Sequence, residues 1–291
     1  TYQVEEYDTM TGEVRPLSAV WEKGKTKVER IFHNQDSLLL KLTPAAAQAA
    51  APSKACRQTG AALRIPNRIP VTLNEPNVLM LDRAEFSLDD NPYLPAEELL
   101  RADNKLREQL HIPMRVGEVA QPWTLPPEEI THHANLRFAV ESEIDVPVSL
   151  ALEEADAAVV RLNGNKITAK PNGYYTDKCI GVIELGVLPK GSNVLEVSIP
   201  FANRIGLEWC YLLGDFGVRV EGTRGVITAP VRELSFGDIV PQGLPFYGGN
   251  ITYHLPVSVG EKGARIHLPH YRGALVAVEK DGEIVPRAQY E

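Results

Sequence analysis

The chain has 291 residues, 44% of them hydrophobic and 23% charged, with a formal net charge of −8. That is ordinary globular composition and enough chain for a sizeable core. An acidic balance without a polybasic run argues against nucleic acid and anionic membrane as partners. No apolar run reaches the roughly 20 residues of a membrane-spanning helix.

Residues 1–43 read as short strands, Tyr2 to Tyr7, Lys27 to Phe32 and Leu38 to Leu42, with turn chemistry at Thr9-Met10-Thr11-Gly12. So few strands rarely stand alone, and the expectation is the end of a preceding β-domain. Residues 44–68 hold an alanine run between Pro44 and Pro52, which reads as a linker. The chain opens on Thr1 with no charged-then-apolar leader, so either a leader has been removed or this is a piece of a longer polypeptide, and the piece is the expectation.

From residue 69 the signal is period two. Val78, Met80, Ala84, Phe86 and Leu88 share one face of a single expected strand, with Asp82 out of step. Leu136, Phe138 and Val140 alternate with Arg137, Ala139 and Glu141, as Leu195, Val197 and Ile199 do with Glu196 and Ser198. Ile251, Tyr253, Leu255, Val257 and Val259 predict another strand. Asn163-Gly164, Lys190-Gly191 and Asp281-Gly282 supply turns. This is the half-buried antiparallel pattern, and it predicts a mainly β chain: a jelly-roll β-sandwich over 69–291, preceded by a short β segment. One helical insert is expected near 95–112, from Pro95 to Leu110, with Leu99, Leu106 and Leu110 on one face and Glu97 and Glu98 in its first turn. At the far end only a hairpin around Asp281-Gly282 closes the pattern, so an open sheet edge is expected, completed by further sequence or by a partner.

The chemistry-bearing residues are few. Tyr174, Tyr175 and Asp177 sit in a glycine-containing loop, and Trp209, Tyr247 and Asn250 lie in aromatic–glycine segments. Aromatic faces stack on sugar rings while carboxylates and amides take hydrogen bonds from hydroxyls, so these six are the carbohydrate-binding candidates. For Trp209, as for Tyr211, Phe216 and Phe246, the competing reading is packing in the core or at sheet ends. Glu208 and Asp215 are the carboxylate pair to test for a small glycosidase, which needs two carboxyl groups within about 10 Å. Adjacent acids such as Glu153-Glu154 read as solvated surface.

The seven histidines are scattered, and His267 and His270 fall on opposite strand faces, which argues against metal binding through them. No cofactor is expected; a structural calcium in a sandwich loop is left open, though no calcium-loop spacing is present. Cys56, Cys179 and Cys210 lack CxxC spacing, so neither a disulfide framework nor a zinc cluster is indicated. Cys179 and Cys210 read as buried small apolar groups and Cys56 as a free thiol. Motifs for a serine nucleophile, a P-loop or a dinucleotide fold are absent.

Several segments occur in order: Asn77-Val78-Leu79-Met80-Leu81-Asp82, Asn163-Gly164, Gly173-Tyr174-Tyr175-Thr176-Asp177-Lys178, Gly191-Ser192-Asn193-Val194-Leu195, Tyr211 to Val218, and Pro245 to Tyr253. This succession resembles the C-terminal, galactose-binding-like β-sandwich region of large bacterial glycoside hydrolases of the α-L-rhamnosidase-like and family 2-like types. It covers roughly residues 70–285. In such enzymes the catalytic carboxylates are expected on an earlier (β/α)-barrel, and no alternating strand–helix pattern occurs here. The resemblance implies a non-catalytic accessory module that binds carbohydrate or braces a catalytic domain of the same polypeptide or of a partner chain. A structural domain pairing through an open edge, and a small glycosidase using Glu208 and Asp215, are the two rival readings.

Overall fold

The computed structural model describes residues 1–9, 12–29, 37–45, 64–114, 126–258, 266, 268 and 272–284. In chain order the first strands are β1 (Tyr2–Tyr7), β2 (Val14–Leu17), β3 (Val20–Glu22), β4 (Lys25–Lys27), β5 (Leu39–Pro44) and β6 (Ile69–Leu73). Then come β7 (Asn77–Leu81), β8 (Arg83–Leu88), β9 (Leu94–Glu98) and the helix α1 (Leu99–Leu110). The middle of the chain forms β10 (His132–Ser142), β11 (Val146–Leu152), β12 (Val159–Leu162), β13 (Asn165–Lys166), β14 (Tyr174–Tyr175), β15 (Asp177–Leu188) and β16 (Gly191–Phe201). The remainder is β17 (Cys210–Gly214), β18 (Gly217–Glu221), β19 (Arg224–Thr228), β20 (Glu233–Leu234), β21 (Ile251–Tyr253), β22 (Glu279–Lys280) and β23 (Glu283–Ile284).

These divide into two compact units, one of Thr1–Leu63 with Ser258–Glu291 and one of Arg64–Val257. In the first, β2-β1-β5 make a three-stranded antiparallel sheet, and β3–β4 and β22–β23 are hairpins. The β22–β23 turn has Asp281 and Gly282 both at positive φ, as its sequence requires. Most of the expected 44–68 linker, together with Cys56, His267, His270 and Val259, lies outside the described residues.

The second unit is a β-sandwich. One sheet runs β14-β15-β11-β17-β7; the other runs β13-β12-β16-β10-β19-β18, with β8 also on β10 and β9 on β8. Alternation puts Leu136, Phe138 and Val140 of β10 inward, in register with Val197, Leu195 and Asn193 of β16. They meet Val148, Leu150 and Leu152 of β11 and Leu212 of β17 in one core. Each such large side chain contributes roughly 1.5–3 kcal/mol by leaving water. A third, small sheet, β20-β6-β21, covers a satellite cluster of Val71, Leu234, Leu244 and Tyr247.

Three expectations are corrected. The run Val78–Leu88 is two strands, not one: it breaks at Asp82, β7 joins the five-stranded sheet and β8 the other. Asp82 is the position where the alternation fails, and its carbonyl accepts the Leu99 N–H at 2.9 Å, so the chain changes sheets where the helix begins. The strand expected over Ile251–Val259 ends at Tyr253: Ile251, Thr252 and Tyr253 pair with β6, His254 adds one backbone bond to the Pro70 carbonyl at 2.9 Å, and Pro256 has no N–H to donate. The helix starts at Leu99 rather than Pro95; Pro95 and Glu97 lie in β9, and Glu98 is the N-cap, accepting from Leu100 N (3.1 Å) and Arg101 N (3.2 Å).

The buried stripe of α1 is Leu99, Ala102, Asp103, Leu106 and Arg107, a helical spacing with a charged pair inside it. Arg107 donates to Asp103 at 2.6 Å, to the carbonyls of Pro113 (3.1 Å), Asn203 (3.3 Å) and Ile205 (3.3 Å), and lies over the Phe201 ring. Asp103 also accepts the Leu207 N–H at 2.8 Å. The insert is thereby fastened to the 203–207 loop. His111 ends the helix in the left-handed region, φ 55°, with Pro113 following.

Candidate functional site

The six carbohydrate candidates fall in three places. The first is the β14–β15 hairpin. Tyr175 and Asp177 are paired across its tip, with Thr176 between them at φ 57°, an uncommon conformation for a β-branched residue. Adjacent strand residues point to opposite faces, and the two tyrosines separate accordingly. Tyr175 packs against Tyr211, ring centroids 5.2 Å apart, above Ala151 and Val182. Tyr174 is 58% exposed. Asp177 accepts the Cys179 N–H at 3.1 Å, which holds its carboxyl below the usual range and closes the turn.

Cys179 is exposed, which corrects the expectation that it is buried, because it follows the hairpin tip where β15 has no covering layer. Its hydrogen bond to Asp177, with burial and the nearby Glu153 charge adding to it, raises its thiol to about 11. Cys210 is buried as expected, and burial raises it to about 12. Neither thiol is activated for nucleophilic work.

Trp209 is the second place. It is 38% exposed, and its indole donates to Glu98 at 3.0 Å. Burial alone would raise the Glu98 carboxyl, but the donors Trp209, Leu100 and Arg101 outweigh it and hold the group low. One carboxylate therefore caps the helix and pins the loop before β17.

The third place gathers Tyr247 and Asn250 around Glu75. Glu75 accepts from the Asn250 backbone (2.6 Å) and from its side-chain amide (2.7 Å), and the Asn250 donors depress the Glu75 carboxyl. The Tyr247 hydroxyl lies 3.0 Å from the same carboxylate and 2.7 Å from the Asn250 carbonyl. Burial, with that carboxylate beside it, lifts the phenol to about 12. The packing is close: a Cβ on Gly249 would run into Glu75 Oε2 and sit 2.8 Å from the Tyr247 ring, so a side chain there must displace the carboxylate. Tyr247 is 9% exposed. This is a loop lock closed by residues 175 positions apart.

Glu208 and Asp215 do not form a pair. They flank opposite ends of β17, a five-residue strand whose rise alone is about 13 Å. Asp215 is held by both guanidinium nitrogens of Arg232, one at 2.9 Å. The acid nearer Glu208 is Glu153, with which it lines a small void above Cys210. Among the described residues no cluster of His, Cys, Asp or Glu could hold a metal ion.

Of the two residues that organise these places, Glu75 is not among the sequence candidates, and Glu98, expected in the helix's first turn, is its N-cap. Glu75 has no local signal, since its partners lie far along the chain. For Glu98 the missing signal is its partner, since Trp209 lies 111 positions along the chain.

No family model matches the chain, and no curated protein matches it. Among solved structures, a rhamnosidase from Novosphingobium sp. PP1Y aligns with 17% identity over 69% of this chain and a TM-score of 0.21. The chain spans 16% of that rhamnosidase's length, and the likeness is a weak one.

Proposed function

We propose that the chain is a non-catalytic accessory portion of a glycoside hydrolase, bracing a catalytic domain of the same polypeptide or of a partner chain and touching carbohydrate through exposed aromatic side chains. One observation carries the reading: the polar groups among the candidates are engaged with other residues of the chain. Asp177 closes a turn, Asn250 is held on Glu75, and Asp215 is ion-paired. The opposite-end placement of Glu208 and Asp215 removes the two-carboxylate geometry that hydrolysis needs. Tyr174 and Trp209 keep exposed rings and are the sugar contacts of this reading; Tyr175 packs on Tyr211, and Tyr247 and Asn250 close the loop lock on Glu75.

The purified chain is expected to leave aryl glycosides intact. Turnover that disappears in Glu208→Gln would overturn the reading. A second reading, an interaction domain, is favoured by the exposure of Ile266, Leu268 and Leu275 near the end of the chain. It predicts self-association or partner capture that Leu275→Asp abolishes, measured by sedimentation velocity.

A further inference from the structure

Asparagine is followed by glycine at two places, Asn163-Gly164 and Asn172-Gly173. This dipeptide carries a reaction of its own. The backbone nitrogen of the second residue can reach the side-chain amide carbon of the first, and glycine puts no Cβ in the way. Both glycines stand in open space, since a Cβ added to either would meet no atom within 4 Å. The two sites differ in how the asparagine side chain is held.

Asn163 lies in the β12–β13 turn, and its amide is fixed at both ends. Its Nδ2 donates to Asn193 Oδ1 at 2.8 Å, and its Oδ1 accepts the Val194 N–H at 2.8 Å. Its own N–H donates to the Val194 carbonyl at 2.8 Å. Asn172 is exposed, and among the described residues its amide has no hydrogen-bond partner. Its backbone is joined to β15 on either side of the peptide bond to Gly173. The Asn172 N–H donates to the Val182 carbonyl at 2.8 Å, and the Val182 N–H donates to the Gly173 carbonyl at 3.4 Å. The two groups that must meet, the Gly173 nitrogen and the Asn172 side-chain carbon, take part in neither bond.

We propose that Asn172 is a site of spontaneous deamidation and that the fold protects Asn163 from the same reaction. The Gly173 nitrogen forms a bond to Asn172 Cγ, and the bond from Cγ to Nδ2 breaks. Nδ2 leaves as ammonia, taking the Gly173 amide proton, and a five-membered succinimide remains. Water opens this ring at one carbonyl to give aspartate or at the other to give isoaspartate; nothing is oxidised or reduced. Either product adds a negative charge to a chain already at −8. Isoaspartate also places an extra carbon in the main chain just before Tyr174, whose register opposite Gly181 it disturbs. The inference goes beyond the accessory-module reading and does not depend on it.

The test is incubation of the whole chain at mildly alkaline pH, in buffer and in guanidinium chloride, followed over time by peptide mapping in a mass spectrometer. In the folded chain Asn172 should convert at least about tenfold faster than Asn163, because two side-chain hydrogen bonds must first break at Asn163. In the unfolded chain the two rates should converge, since glycine follows both residues. Asn172→Gln should remove the fast product and leave the Asn163 rate and the unfolding midpoint unchanged. The proposal is overturned if Asn172 stays intact in the folded chain while the unfolded chain converts. It is equally overturned if Asn163 keeps pace with Asn172 in the folded chain, or if the lead of Asn172 survives unfolding undiminished.

Discussion

Two arginine–aspartate pairs of the same chemistry stand in the sandwich unit. In the helical insert, Arg107 and Asp103 have side chains 2% and 0% exposed. At the β17–β18 corner, Arg232 and Asp215 are 67% and 62% exposed, with a bidentate geometry. Geometry alone would rank the corner pair at least as strong. Burial reverses the ranking, because a charge stripped of water depends wholly on its partners. Arg107 uses its donors on one carboxylate and three carbonyls, so removing either charge strands the other.

The largest effect is therefore expected from Arg107→Ala, about 3–5 kcal/mol of unfolding free energy in urea titrations. A loss below about 1 kcal/mol would erase the contrast with the corner pair. Next is Glu98→Ala, which removes the helix cap and the Trp209 partner together; about 1–2 kcal/mol is expected, with a shift in tryptophan emission that Leu100→Ala does not reproduce.

Glu75 gives a smaller, pH-dependent effect. Its carboxyl is held below its ordinary value of 4.5, chiefly by the Asn250 donors, so the folded state prefers the ionised form. Its contribution is full above the ordinary value and disappears as pH falls through the lowered folded value. Glu75→Gln should flatten that acid limb of the stability profile, and an unchanged limb would show that the loop lock is not coupled to protonation. The smallest effect is expected from Arg232→Ala, at most about 1 kcal/mol and shrinking with added salt.

The inner faces of the sandwich were legible because apolar alternation and burial coincide there: Leu136, Phe138 and Val140 read inward and are inward. The Asn163-Gly164 turn was legible because positive φ at both positions, 50° and 80°, suits that dipeptide. The insert's inner stripe was half legible, since Leu99 and Leu106 follow hydrophobic spacing while Asp103 and Arg107 look like surface charges until they meet. Asp82 gave a sign, one residue out of phase, but the apolar pattern resumes after it and reads as one strand.

Of the candidate site, the sequence showed residue types and not their partners. Tyr175 and Tyr174 are neighbours in the chain, yet one packs on Tyr211 and the other meets solvent. Asn250 looked like a sugar contact because its acceptor, Glu75, lies too far along the chain for any local pattern to join them.

The passage of the chain from β7 to β8 has a mechanical consequence. A pull on Asn77 is transmitted through β17 into one sheet, and through Asp82 into β10 and the other. The Asp82 carbonyl also holds the first turn of α1. Tension at this point is shared by both sheets and the helix, so neither sheet can peel away alone. In single-molecule extension the sandwich should part in one step when pulled across Asp82, and a nick there should leave the sheets coupled, because the chain also crosses between them from β10 to β11, from β11 to β12 and from β15 to β16.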